Sequence, residues 1–266
     1  MELIILKALT VVFLVLGLTY IAENISVKAS GIISGLPTGS VITYIFIGIE
    51  FGTRYVQEIS LYSINGLVAN LFFCIGYYIS TFYKGKYGLV VSIFLSLIFY
   101  ATTMFFLSNV IPDIRTTPLL VLPILIIAIL YFVSVNDHYI EKPKKLSLLS
   151  FIVRILLTIL IFLIISSLPN YVSKNFAGIF SSFPIVLLPL IIIIHSNYNR
   201  FQARTIAKNA PLGLPSVVVF ATVIYFTFDL YGIFISIVIS LFTSILIIYI
   251  QTKLLVFYKL KILKRV

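Results

Sequence analysis

Residues 31–52 read GIISGLPTGSVITYIFIGIEFG, and the reading of that run decides the fold. About 20 helical residues rise roughly 30 Å, the thickness of a bilayer's hydrocarbon core, so the run is long enough to cross one. Its second half is the expected Ile, Phe and Tyr. Its first half gathers Gly31, Ser34, Gly35, Pro37, Thr38, Gly39 and Ser40, residues that loosen a helix or offer hydroxyls to it. A shorter patch of the same kind, GIFSSFP, returns at residues 178–184.

The rest of the chain sets the class to which both patches belong. Of 266 residues, 61% are hydrophobic and 10% charged, and the mean hydropathy is +1.17. A soluble domain is about half apolar and about a quarter charged, so these charges are too few to solvate its surface in water. Nearly uncharged runs fill 89–107, 119–135 and 155–169. These features define an all-α, polytopic helical membrane protein. In a soluble chain the net charge of +11 would suggest nucleic acid. Here it reads as basic loops and a basic tail, 253–266, on the cytoplasmic side against anionic headgroups. The expected partner is the bilayer, with no nucleic acid; homo-oligomerisation is left open. Cys74, the single cysteine, lies in an apolar run and reads as a small core residue. The start, with Glu2 and only Lys7 before its apolar run, does not read as a cleavable signal.

Breaks in hydropathy give nine spans, near 3–22, 29–50, 59–81, 87–108, 117–136, 148–168, 175–196, 205–227 and 230–252. If they alternate, Lys7, Arg54, Arg115 and Lys174 fall on one side. The other fifteen basic residues fall on the opposite side, from Lys28, Lys84 and Lys86 through Arg154, Arg200, Arg204 and Lys208 to the tail. Lys and Arg accumulate in cytoplasmic loops, which places the N-terminus outside and the C-terminus in the cytoplasm of a cell-membrane protein. The sequon at Asn24 is then cytoplasmic and unmodified.

Sliding the sequence by 147 residues lays Gly31, Ile32, Ser34 and Pro37 on Gly178, Ile179, Ser181 and Pro184. Gly66, Leu67, Phe73 and Tyr78 fall on Gly213, Leu214, Phe220 and Tyr225, and Lys7 falls on Arg154. After a slip of three residues, Ser92 and Ser96 match Ser236 and Ser240. The expected organisation is a four-helix unit at 1–108, a linker helix and basic loop at 109–147, a second unit at 148–252, and the tail. A single linking helix makes the two units inverted repeats, an arrangement common in secondary transporters.

The stretch LPTGSVITYIFIGIEFG, with Pro37, Gly48, Glu50 and Gly52, and in the second half Pro184 and ARTI with Arg204 and Thr205, resembles the GlpM-type small bacterial membrane proteins. Tyr44 and Ile191 stand where that pattern has a histidine, and Gln57 stands at its first-half arginine. The resemblance implies a fused, diverged pair of such units. It carries no molecular activity.

Pro37 removes a helical bond and clashes with the preceding turn, an arrangement expected to free the Ile33 carbonyl. Pro184 does the same in the second half. With Ser34, Thr38, Ser40, Ser181 and Ser182, and with Asn65 and Asn70 nearby, two such helices would form a small polar pocket at the repeat interface. Close packing of small residues alone is the competing reading. Lys7 and Arg154 read as interface anchors. Glu50 and Arg54 read as a helix-surface pair or, with Arg204, as a gate or proton site. His138 and His195 with one cysteine supply no standard zinc site, and no nucleotide-binding fingerprint appears. No cofactor, metal or enzymatic activity is expected. The leading reading is a secondary transporter or permease for a small neutral or weakly polar solute. The rival is a non-transporting assembly or envelope-biogenesis factor that binds lipid or a partner protein.

Overall fold

The computed structural model describes residues 5–13, 17, 27–135 and 147–263. The sequon at Asn24, His138 and the basic residues of 136–146 lie outside the described residues. Among those described there is no strand. The helices are α1 (residues 5–13), α2 (Val27–Ser34), α3 (Thr38–Phe51), α4 (Thr53–Ser80), α5 (Gly88–Leu107) and α6 (Thr116–Ser134), followed by α7 (Leu148–Ser167), α8 (Lys174–Phe180), α9 (Leu187–Asn197), α10 (Arg200–Asn209) and α11 (Leu214–Leu263).

Among the described residues six helical runs are long and apolar enough to cross a membrane: Gly31–Phe51, Thr53–Ser80, Gly88–Leu107, Thr116–Ser134, Leu148–Asn170 and Arg200–Leu255. The last covers two of the expected spans. It is not straight, because Gly232 adopts φ 73° and ψ 180°, a conformation open to glycine and strained for other residues. The Ser244 hydroxyl donates to the Ser216 carbonyl at 3.0 Å, and Gln251 Nε2 to the Leu212 carbonyl at 2.8 Å. Residues that far apart along a helix meet only if the chain reverses, so the arms on either side of Gly232 lie back to back.

The axis of the bundle is α4, which packs against α3, α5, α6, α8, α10 and α11. Its Ile64, Leu67 and Leu71 share a buried cluster with Leu125 of α6 and Val218 of α11, and its Phe73 and Tyr77 share another with Leu190 and Ile194 of α9. Peripheral helices are the reverse of a soluble helix. On α5 and α11, Ser92, Ser96, Ser236 and Ser240 face inward, while Val90, Phe94, Phe234 and Phe242 are exposed. In a bilayer, packing between helices favours small residues because lipid already solvates the large apolar ones. The aromatics therefore divide. Some face outward as expected, but Tyr44, Phe73, Tyr77, Phe162, Phe220 and Phe228 are buried core. Cys74 is buried too.

Two expectations about charge are corrected. Lys7 and Arg154 are 6% and 1% exposed, so neither reaches out to an interface. Lys7 is ion-paired with Glu50, donates to Ser166 Oγ at 3.2 Å and lies 5.7 Å from the Phe46 ring. Glu50 and Arg54 do not share a helix surface, because Gly52, at φ 87°, ends α3 and starts α4 in a new direction. A carboxylate facing the protein takes the nearest buried cation.

The turn into α6 supplies a testable charge. The Asp113 carboxylate accepts from the Arg115 and Thr116 amides at 2.9 and 3.2 Å, and these bonds hold its carboxyl below the usual carboxylate range. Folding therefore favours the ionised form. Its contribution is present above the unfolded-state value, about pH 4, and is lost as pH falls through the folded one. Asp113→Ala should lower the melting temperature at pH 7 and make progressively less difference below about pH 4. An equal difference at both pH values would refute the capping role.

Candidate functional site at two helix breaks

The two odd patches are interruptions of the helix. α2 stops at Ser34 and α3 starts after Pro37, whose φ of −69° suits a helix entry and whose ring cannot donate to the turn before it. The chain between runs through tight turns. Leu36 N–H donates to Ile33 O at 3.1 Å, Thr38 N–H to Leu36 O at 2.8 Å and Val41 N–H to Pro37 O at 2.8 Å. At the second break Phe183 donates to Phe180 at 2.9 Å, Ile185 to Phe183 at 2.7 Å and Leu188 to Pro184 at 2.9 Å. The expectation that Pro37 frees the Ile33 carbonyl is corrected. A kinked helix would orphan that oxygen, whereas a turn of broken chain gives it the Leu36 amide.

Glycines bring the breaks onto their neighbours. A Cβ on Gly31 of α2 would stand 2.8 Å from the Ile206 carbonyl oxygen of α10, and one on Gly178 of α8 would stand 2.8 Å from that of Ile59 on α4. Gly66 leaves room for Ile179 O, which would be 2.6 Å from its Cβ; Gly213 does so for Ile32 O, at 2.8 Å. These are approaches of backbone to backbone, which only an absent side chain permits.

Between the breaks lies a cleft of about 330 Å³ of atom-free space, with room for little more than a water molecule. Of the residues expected there, Ser34, Thr38, Ser40, Asn70, Ser182 and Pro184 line it, together with Gly39, Val186 and the apolar Leu67, Leu214 and Val217. Pro37, Asn65 and Ser181 do not. Asn65 and Asn70 are about 140° apart around α4 at 100° per residue. Asn65 reaches the Val110 carbonyl instead, at 3.4 Å. Asn70 Nδ2 donates to the Ser182 carbonyl at 2.9 Å, tying α4 to the second break.

The hydroxyls differ in availability. Those of Ser34, Ser181 and Ser182 donate back to the carbonyls of Gly31, Gly178 and Ile179 at 2.8, 2.6 and 2.7 Å, which completes the ends of their own helices. Thr38 Oγ1 is buried without a partner. Ser40, 8% exposed, makes no hydrogen bond through its side chain among the described residues. No charged side chain lines the cleft.

The expected gate residues do not meet. Glu50 pairs with Lys7, and Arg54 is exposed. Arg204 is 5% exposed, donates from Nε to Thr81 Oγ1 at 2.7 Å and from Nη2 to Thr81 O at 2.8 Å, and stacks on Phe82 at 3.9 Å. Sequence reasoning missed the contact of Tyr77 Oη with His195 Nδ1 at 2.7 Å and that of Tyr44 with Ser63. A lone His closing an apolar run was the only signal of the first. Among the described residues no group of three His, Cys, Asp or Glu could hold a metal ion. No family model matches the chain, and no curated protein or solved structure matches it either.

Proposed function

We propose that the chain is a secondary transporter or permease-like integral membrane protein in which a small solute passes the cleft between two inverted four-helix repeats. The observation that carries this reading is the meeting of two broken helices at one cleft. Helix breaks survive within a bilayer where protein or a wet cavity covers them, and transporters place solute sites at such breaks.

Exchanged contacts support the repeat. A two-fold relation requires that if residue i touches the counterpart of j, then j touches the counterpart of i. Gly31 on Ile206 with Gly178 on Ile59 is such an exchange at a spacing of 147, and Gly66 on Ile179 with Gly213 on Ile32 is another. Gln57 Nε2 on Tyr225 O at 2.8 Å and the Arg204 guanidinium 5.9 Å from the Tyr78 ring follow the same rule.

Contacts at the bundle ends support the inversion. Lys7 with Glu50 and Ser166, Lys174 with Glu58, Thr53 with Asp229, and Asn175 with Ser108 belong to one end. Arg200 with Tyr83, Arg204 with Thr81, Lys208 with Val135, and Asn197 with Ser150 belong to the other. α3 therefore finishes at the first end and its counterpart α9 at the second. The second end carries Lys84, Lys86, Arg200, Arg204 and Lys208, which favours it as cytoplasmic. Nine spans follow if the arms of α11 count separately, α8 and α9 form one broken span, and α1 begins the first. This organisation also suits a fused pair of GlpM-type units.

The rival reading, a sealed assembly or envelope-biogenesis factor, is favoured by the little room in the cleft and by glycine contacts that close its sides. Single cysteines at Ser34 and Ser40 separate the two, against a native Cys74 too buried to react. Transport predicts modification by a membrane-impermeant maleimide from one side of the membrane. Protection of both positions from both sides, with a stoichiometric partner on purification, would establish the rival.

A further inference from the structure

We infer that the cleft selects a small monovalent anion; this rests on the transport reading of the same cleft and deepens it by naming the solute class. An uncharged lining suggests a neutral solute from side chains alone, but the backbone biases the site. Both α3, of 14 residues, and α9, of 11, begin at the cleft, and neither start has a side-chain cap. Among the described residues the amides of Gly39 and Ser40, and of Val186 and Leu187, meet no backbone acceptor, because the first amides of a helix have no carbonyl four residues back within it. Two hydroxyls join them. Thr38 Oγ1 is buried and unpartnered, and that of Ser40, a lining residue at 8% exposure, has no partner among the described residues.

The opposite helix ends are quenched. At the close of α2 the carbonyls of Gly31, Ile32 and Ile33 accept from Gly35 and Leu36. At the close of α8 those of Ala177, Gly178, Ile179 and Phe180 accept from residues 181–183, and that of Ser182 takes Asn70. Open donors thus face the cleft, and the helix-end carbonyls just named are occupied. A helix start carries about half a positive charge on its unpaired N–H groups, so two of them suit one negative charge without any side-chain cation. No carboxylate stands in the lining to repel it. The room available limits the solute to the size of a halide, nitrate or formate.

The test uses the full-length protein in detergent and then in proteoliposomes. Thermal unfolding, followed by a dye that reacts with the buried Cys74 thiol, is titrated with sodium chloride and sodium nitrate against equal sodium gluconate, an anion too large for the cleft. The expected result is a saturable stabilisation by chloride or nitrate alone. Thr38→Val with Ser40→Ala should raise its midpoint concentration at least ten-fold. Equal responses to chloride, nitrate and gluconate in the wild type would overturn the inference even if the double variant failed to fold, as would a double variant that responds like wild type. Binding without flux of chloride or nitrate into vesicles would refute the transport reading and leave the site standing. Flux of glycerol or urea with no response to anion identity would refute the anion and leave transport standing.

Discussion

Gly35→Ala should cost about 3 kcal/mol or more and leave little folded protein in the membrane. The new Cβ would overlap the Ala210 carbonyl oxygen and lie 3.0 Å from the carbonyl carbon. Neither atom belongs to a side chain that can rotate away. The crossing is tight on both sides, since a Cβ on Gly213 would stand 2.6 Å from the Gly35 carbonyl oxygen. Relief would need α2 to move off the segment joining α10 to α11, opening the cleft wall with it. Gly39→Ala is the control within the same patch. Its Cβ would meet only Ile185, at 3.7 Å, so the change should stay within about 1 kcal/mol and could stabilise α3. Unfolding followed by exposure of Cys74 ranks the two. Similar midpoints would mean that the crossing is looser than its geometry.

Arg204→Ala should destabilise by about 2–4 kcal/mol, combining charged hydrogen bonds with a desolvated cation–π contact. The guanidinium closes the end of α4 by binding both the hydroxyl and the carbonyl of Thr81, with Phe82 stacked at 3.9 Å and Phe201 at 5.5 Å. Arg204→Lys should recover less than half of that loss, because an ammonium supplies neither the planar fork nor the stacking surface. A double-mutant cycle with Thr81→Ala isolates the pair, and coupling of at least about 1 kcal/mol is expected. Additive losses would remove Thr81 as the partner.

Legibility differed by residue. Pro37 and Pro184 marked the breaks from sequence because a missing N–H acts locally, whatever the fold around it. Gly31, Gly35, Gly66 and Gly213 stood out as small residues, yet which strands of backbone they admit depends on helices far along the chain. Ser34, Ser181 and Ser182 read as solute ligands from the sequence; in the structure each hydroxyl donates to the carbonyl three residues back, a local bond that takes its proton and leaves its oxygen as an acceptor. Among the residues lining the cleft, Thr38 and Ser40, in the first turn of α3, carry the hydroxyls left without a partner. The backbone donors of Gly39 and Val186 carry no mark in a string of side chains.

Lys7 makes the same point for charge. Its position near the start of an apolar run suggests snorkelling to an interface, but Ser166 lies 159 residues away in sequence and beside it in space. Tyr77 with His195, and Arg204 with Thr81, are separated by 118 and 123 residues. Membrane class, helix content and the places where helices stop were decided by the sequence by itself, because bilayer solvation and proline sterics act over a turn or two. The reversal near Gly232 was legible as well, in the break between 227 and 230, whereas which buried groups pair and which hydroxyls stay open were decided only by tertiary structure. The physical reason is that hydrogen bonds and close packing are made with whatever the fold brings near, and nearness across a bundle is not a property of any one segment.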